Sequence, residues 1–144
     1  MLSDHHPVLD RIDIDSPAFR RRIIRENGDQ THECELQLWL PVQLDNGGWV
    51  AAVRIEGFDM PPIIAMPGED PLGALIGALV YARDMVSGED RRVLFGKRES
   101  GGLPVFLDCG FPPAVLADVE ARALRMAIET AEHLHPADLR KGLA

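Results

Sequence analysis

Residues 68–88 read GEDPLGALIGALVYARDMVSG, and the way this stretch is folded decides the rest. It has a start, a stripe and a stop. Asp70 is placed to cap the free amides of a first turn, and Pro71 suits the first helical position, where an N–H would have no partner. Leu72, Leu75, Ile76, Leu79, Val80 and Val86 recur at helical spacing, so the pattern predicts an amphipathic helix that ends at Ser87-Gly88. The opposite side holds Gly73, Ala74, Gly77, Ala78 and Ala82, with no charge before Arg83. A helix that is apolar or tiny all round is covered on more than one side. The large stripe is therefore expected on a sheet, and the small side against a second helix, touching it through Gly73, Gly77 or their alanine neighbours.

Upstream of this helix the chain alternates as strands do. Asn27-Gly28 is a two-residue hairpin signal, and a turn there places Arg22 opposite Glu33 and Arg20 opposite Glu35. The next run points Cys34, Leu36, Leu38, Leu40, Val42 and Leu44 one way, with Glu33, Glu35, Gln37, Trp39 and Gln43 the other. A four-residue turn at residues 45–48 leads to Trp49, Ala51, Val53 and Ile55. It leaves Pro41 on a free edge, where a missing N–H costs nothing. Leu44 then faces Trp49, Trp39 faces Arg54, and Gln37 faces Glu56. A turn over residues 57–61 and a short fourth strand over 63–66 complete the series. Beyond the helix, residues 93–95 and 105–107 read as short strands around a mobile, glycine-rich loop at 96–102. A second long, alanine-rich helix runs from Pro112 to about His135 on the stripe Leu116, Val119, Ala123, Met126, Ala127 and Leu134.

The expected fold is α+β: an antiparallel meander of about four strands packed against two long helices, with a further short hairpin. Residues 1–17 read as an N-terminal arm, 18–135 as one domain and 136–144 as a tail. A length of 144 residues suits a single domain. The formal net charge of −8 argues against a nucleic-acid or anionic-membrane binder, which needs a basic face, and permits a basic partner. Two cysteines are too few for a disulfide framework, and the N-terminus lacks the basic start and apolar run of a signal sequence. No apolar run reaches the ~18 residues of a membrane helix. These features point to a cytoplasmic protein with reduced thiols.

Chemistry-bearing motifs are sparse. Gly96-Lys97 followed by Ser100-Gly101-Gly102 fails the phosphate-loop spacing. His5, His6, Asp10 and Asp13 have no fixed ligand geometry, and no other set has metal-ligand spacing, so neither metal nor cofactor is expected. Cys109 offers a thiol without a neighbouring histidine, and the carboxylates near Asp70 offer acids with capping or solvated roles. The distinctive residue is Trp39. Its register puts an indole on the polar side of the sheet under the guanidinium of Arg54, an arrangement suited to an interface anchor unless an end strand or the N-terminal arm covers it.

Trp49, then Val53-Arg54-Ile55-Glu56-Gly57, then Gly68-x-Asp70-x-Leu72-x-Ala74-Leu75-x-x-Ala78-Leu79 resembles a family of small uncharacterised bacterial domains. These carry a strand ending I-x-G and a G-x-D-x-x-x-A-L-x-x-A-L helix. The likeness covers about residues 49–86 and departs at Ala51, where that family often has cysteine. It implies a strand–turn–helix unit and no catalytic residue. The expected function is a non-enzymatic protein-interaction protein of bacterial, immunity-like type, binding another protein chain through Trp39, Arg54, Gln37 and Glu56. That chain is either a second copy or a basic partner. An enzyme using Cys109 or carboxylates near Asp70, and a structural homodimer, are the alternatives.

Overall fold

The computed structural model describes residues 6–58, 63–87 and 92–134. The chain divides into two compact units, Met1–Leu103 and Pro104–Ala144. The first unit holds β1 (Phe19–Asn27), β2 (Gln30–Leu38), β3 (Val42–Gln43), β4 (Trp49–Glu56) and β5 (Ile64–Gly68), then α1 (Pro71–Met85), β6 (Arg92–Phe95) and β7 (Arg98–Glu99). All seven strands join one antiparallel sheet in the order β3-β4-β2-β1-β6-β7, with β5 on β4. The fold class is α+β.

Strand faces follow the alternation of the sequence, while the registers slip. β1 and β2 pair Arg22 with Glu35 and Arg20 with Gln37, two residues from the expected register. The two-residue turn is Gly28-Asp29, because Gly28 takes the positive φ of 64° that glycine alone adopts without strain. A slip of two leaves every side chain on its own face. The expected ion pairs therefore still form, as diagonals: Arg20 to Glu35 at 2.8 Å and Arg22 to Glu33 at 3.1 Å.

Pro41 is the cause of the second shift. Trp39 N–H bonds the Ala52 carbonyl at 3.1 Å, yet the next pair is Val42 with Val50. Leu40 and Pro41 thus stand opposite Ala51 alone, a bulge in which proline's missing donor costs no ladder bond. The following turn has three residues, not four. Gly47, at φ 88°, donates to the Leu44 carbonyl, and Leu44 N–H bonds Gly48. The bulge splits the expected second strand in two. Two further strands come from residues 92–99, where Gly96-Lys97 forms a tight turn in the stretch expected to be a mobile loop. Residues 105–107, expected as a strand, have no regular structure.

α1 starts as expected, with the Asp70 carboxylate accepting from Gly73 N–H at 2.6 Å. At its end Ser87 donates to the Arg83 carbonyl; the expected glycine cap at 88 lies outside the described residues. Its orientation follows the expectation only in part: Val86 is buried and Leu79 packs against the core as the large stripe requires, but the alanine side also faces the sheet. Ala74, Ala78 and Ala82 are fully buried on β4 and β5, while Leu72 and Ile76 are 64% and 41% exposed. The reason lies at Gly68. A Cβ there would sit 2.1 Å from Ala74 N, so the end of β5 lies directly on the first turn of the helix. That contact turns Ala74 toward the sheet, and Ala78 and Ala82 follow at four-residue steps. Gly77, expected against a second helix, lies beside Met66 and Pro67 of β5.

Two apolar clusters result, one on each face of the sheet. The α1 side gathers Ile23, Cys34, Leu36, Val53, Ile55 and Val93 with the three alanines. The other holds Trp39, Val50, Ala52 and Ile63, with Val8 from a 3-10 turn at Pro7–Asp10 laid over them. The N-terminal segment expected as an arm thus contributes a fully buried core residue. The second unit holds α2 (Pro113–His133), which has no buried residue. Leu116, Val119 and Ala123 are half-buried, and Leu124, Met126 and Ile128 are exposed.

Candidate interaction surface

The four residues expected to bind a partner do come together. Arg54 Nε donates to Gln37 Oε1 at 2.7 Å, its other nitrogen pairs with Glu56 at 3.2 Å, and its guanidinium lies 5.4 Å from the Trp39 ring. Gln37, only 2% exposed, passes the network on to Glu35 at 2.6 Å. Glu35 is held below the usual carboxylate range, chiefly by that amide donor and then by Arg20. The exposure on which an anchor depends is missing, however. Trp39 is 3% exposed, and its indole N–H bonds the Asp13 carbonyl at 2.7 Å. A buried tryptophan needs such a partner for its donor, and the segment after the first 3-10 turn supplies it. Trp39 is core.

In the first unit, an apolar surface stands free on the other face of the sheet, along α1. A groove of about 330 Å³ runs between the helix and the sheet, with Leu36 and Leu38 as its floor. Leu75 and Leu79 form one wall, and Phe19 and Leu103 the other. Phe19 is half exposed. Arg21 lies at the rim, its guanidinium 4.1 Å from the Phe95 ring and donating to the Gly101 carbonyl at 3.2 Å. Arg83 Nη1 donates to the Leu103 carbonyl at 2.8 Å, which holds the 100–103 segment against the helix. Leu72 and Ile76 stand above this groove as a ridge on the outer side of α1. Apolar side chains in a row beside an apolar groove mark a site of association. The signal in the sequence is the uncharged run from Pro71 to Ala82, whose large residues were expected on the sheet and whose small residues against a second helix.

Burial pushes the Cys34 thiol up, so it is a poor nucleophile near neutrality. Cys109 is exposed in the second unit, where the neighbouring Asp108 accepts from Gly110 N–H. Asp70 is engaged as a helix cap. His6 caps the first 3-10 turn by accepting from Val8 N–H at 3.1 Å; His5 lies outside the described residues. Among the described residues, no three His, Cys, Asp or Glu side chains converge in a metal-binding group. No helix among them is long and apolar enough to cross a membrane.

Comparison of the chain with protein-family models, with curated proteins and with solved structures finds no match.

Proposed function

We propose that this chain is a non-enzymatic protein-interaction protein that associates through the outer ridge of α1 and the groove beside it. The observation that carries the reading is the orientation of the helix. Three alanines take the core side, and Leu72 and Ile76 are left in solvent next to five leucines and a phenylalanine that line an open groove. A surface of this kind can bury a partner's apolar side chains. The Trp39 face, expected to serve, has its anchor inside the core. The formal net charge of −8 favours a basic partner at other surfaces, whereas this groove is apolar with Arg20 and Arg21 in its lining.

The test compares two variants. Leu72→Glu replaces an exposed ridge residue and is expected to leave the melting temperature within a few degrees, since surface changes seldom exceed ~0.5 kcal/mol. It is expected to abolish association, followed by sedimentation velocity of the purified chain and by binding of proteins from its host. Trp39→Ala is expected to act instead on the fold, costing about 3–5 kcal/mol as a core truncation. Association that survives Leu72→Glu, or a stable Trp39→Ala variant that no longer associates, would overturn the assignment.

A further inference from the structure

We infer that the open edge of β1, beside the groove, takes an extended acidic segment of another protein as an added strand; this rests on the interaction reading above. The backbone shows where that strand fits. Trp39 N–H bonds the Ala52 carbonyl, so Trp39, Gln37 and Glu35 turn their backbone groups to β4, and Leu38, Leu36 and Cys34 turn theirs to β1. These meet Phe19, Arg21 and Ile23, which leaves the N–H and C=O of Arg20, Arg22, Ile24 and Glu26 directed away from β2. β6 pairs with residues 24–26 and goes no further. Among the described residues, no other backbone hydrogen bond reaches Arg20 or Arg22, and both are exposed. Their donors and acceptors stand open in line, where β6 stops. Other margins of the sheet are blunted: β3 and β7 have two residues each, and β5 carries Pro67.

Charge then chooses the occupant. The open stretch reads Phe19-Arg20-Arg21-Arg22. Across β2, Glu35 pairs with Arg20 at 2.8 Å and Glu33 with Arg22 at 3.1 Å, and Arg20 also holds the Asp15 carbonyl. Arg21 has no ion-pair partner among the described residues. The edge is thus positive on a chain whose formal net charge is −8. Antiparallel pairing of two copies through these groups sets arginine against arginine, Arg20 against Arg22 or each against itself, and like charges directly opposite destabilise a sheet. An acidic strand is complementary at all three positions. Its next residue falls opposite Phe19, which is 52% exposed in the groove wall and suits an apolar side chain. Main-chain bonds to Arg20 and Arg22 supply affinity, and the side chains supply selection.

The probe is a short peptide with blocked ends, consecutive glutamates followed by a leucine between threonines, added to the full chain. Amide hydrogen exchange followed residue by residue is expected to slow at least about tenfold at Arg20 and Arg22, and to stay unchanged at Arg21 and Ile23, which already bond β2. The same peptide with lysine for glutamate, or N-methylated at the amides that face β1, is expected to bind at least about tenfold more weakly. Arg20→Pro removes an outward donor without a ladder bond to β2 and is expected to abolish binding. Arg21→Glu leaves the backbone edge intact and is expected to weaken the glutamate peptide and strengthen the lysine one; melting curves identify a variant that loses its fold. A Kd for the glutamate peptide weaker than about 1 mM, or equal binding of either control, would overturn the inference. Protection of Arg20 and Arg22 that grows with protein concentration alone makes a second copy the occupant, and overturns it as well. Protection on α1 in place of β1, or no peptide binding while Leu72→Glu abolishes association, leaves the interaction reading standing without the added strand. If the peptide does not bind and Leu72→Glu leaves association intact, both readings fall.

Discussion

Glu35 shows how a single side chain ties the polar face together. Its carboxylate accepts from Gln37 at 2.6 Å and from Arg20 at 2.8 Å, and both donors favour the charged form. Its acidity in the folded protein is therefore raised, meaning its pKa lies below the ordinary value of about 4.3. The stabilisation that follows is fully present above that ordinary value and is lost as pH falls through the lowered one. Glu35→Gln keeps an acceptor for the Gln37 amide but cannot ionise. Urea midpoints measured against pH should fall less steeply for this variant below about pH 4.3. Equal slopes for the two proteins would mean that the network leaves Glu35 unperturbed. Trp39 teaches the complementary lesson. Its place on the Arg54 face was legible from strand alternation, and cover by the N-terminal arm stood as an open reading that alternation could not decide, because the carbonyl that receives its indole N–H belongs to Asp13, 26 residues away.

At the scale of the element, two glycines around α1 look alike in the sequence and differ sharply in space. A Cβ on Gly68 would lie 2.1 Å from Ala74 N and 2.6 Å from the Gly73 carbonyl carbon, both backbone atoms that cannot step aside. Gly68→Ala is expected to push α1 off β5 and to cost about 3 kcal/mol, the upper end of overpacking. A Cβ on Gly77 would meet the Pro67 carbonyl oxygen at 3.4 Å and Met66 Cβ at 3.5 Å, ordinary contact distances. Gly77→Ala is therefore expected to stabilise by up to about 1 kcal/mol through helix propensity. Chemical denaturation of the pair checks both signs at once, and a neutral Gly68→Ala would show that the helix does not sit where the β5 backbone places it. A leucine at 77 would strike β5, where the sequence had pointed to a second helix.

For the whole molecule, the two units differ in what they bury. Every residue of the two apolar clusters comes from residues 8–103, on both faces of one sheet. α2, in the second unit, has none buried. A chain ending at Leu103 is accordingly expected to fold by itself, keeping the near-ultraviolet signal of Trp39 and Trp49 and melting cooperatively. A featureless near-ultraviolet spectrum from that chain would show that the clusters depend on residues 104–144.

The sequence by itself determined which side chains share a face of the sheet, because period two survives any slip of two residues. It determined where α1 begins, because Asp70 and Pro71 act within one turn, and it determined the α+β class. Register needed the structure, since it was set by where a glycine could take a positive φ and where Pro41 could give up its place in the ladder. Which side of α1 faces inward also needed the structure. Both sides are apolar, so periodicity has no preference between them, and the choice fell to a backbone contact between Gly68 and Ala74. That contact goes with three alanines in the core and with Leu72 and Ile76 left in solvent beside the candidate groove.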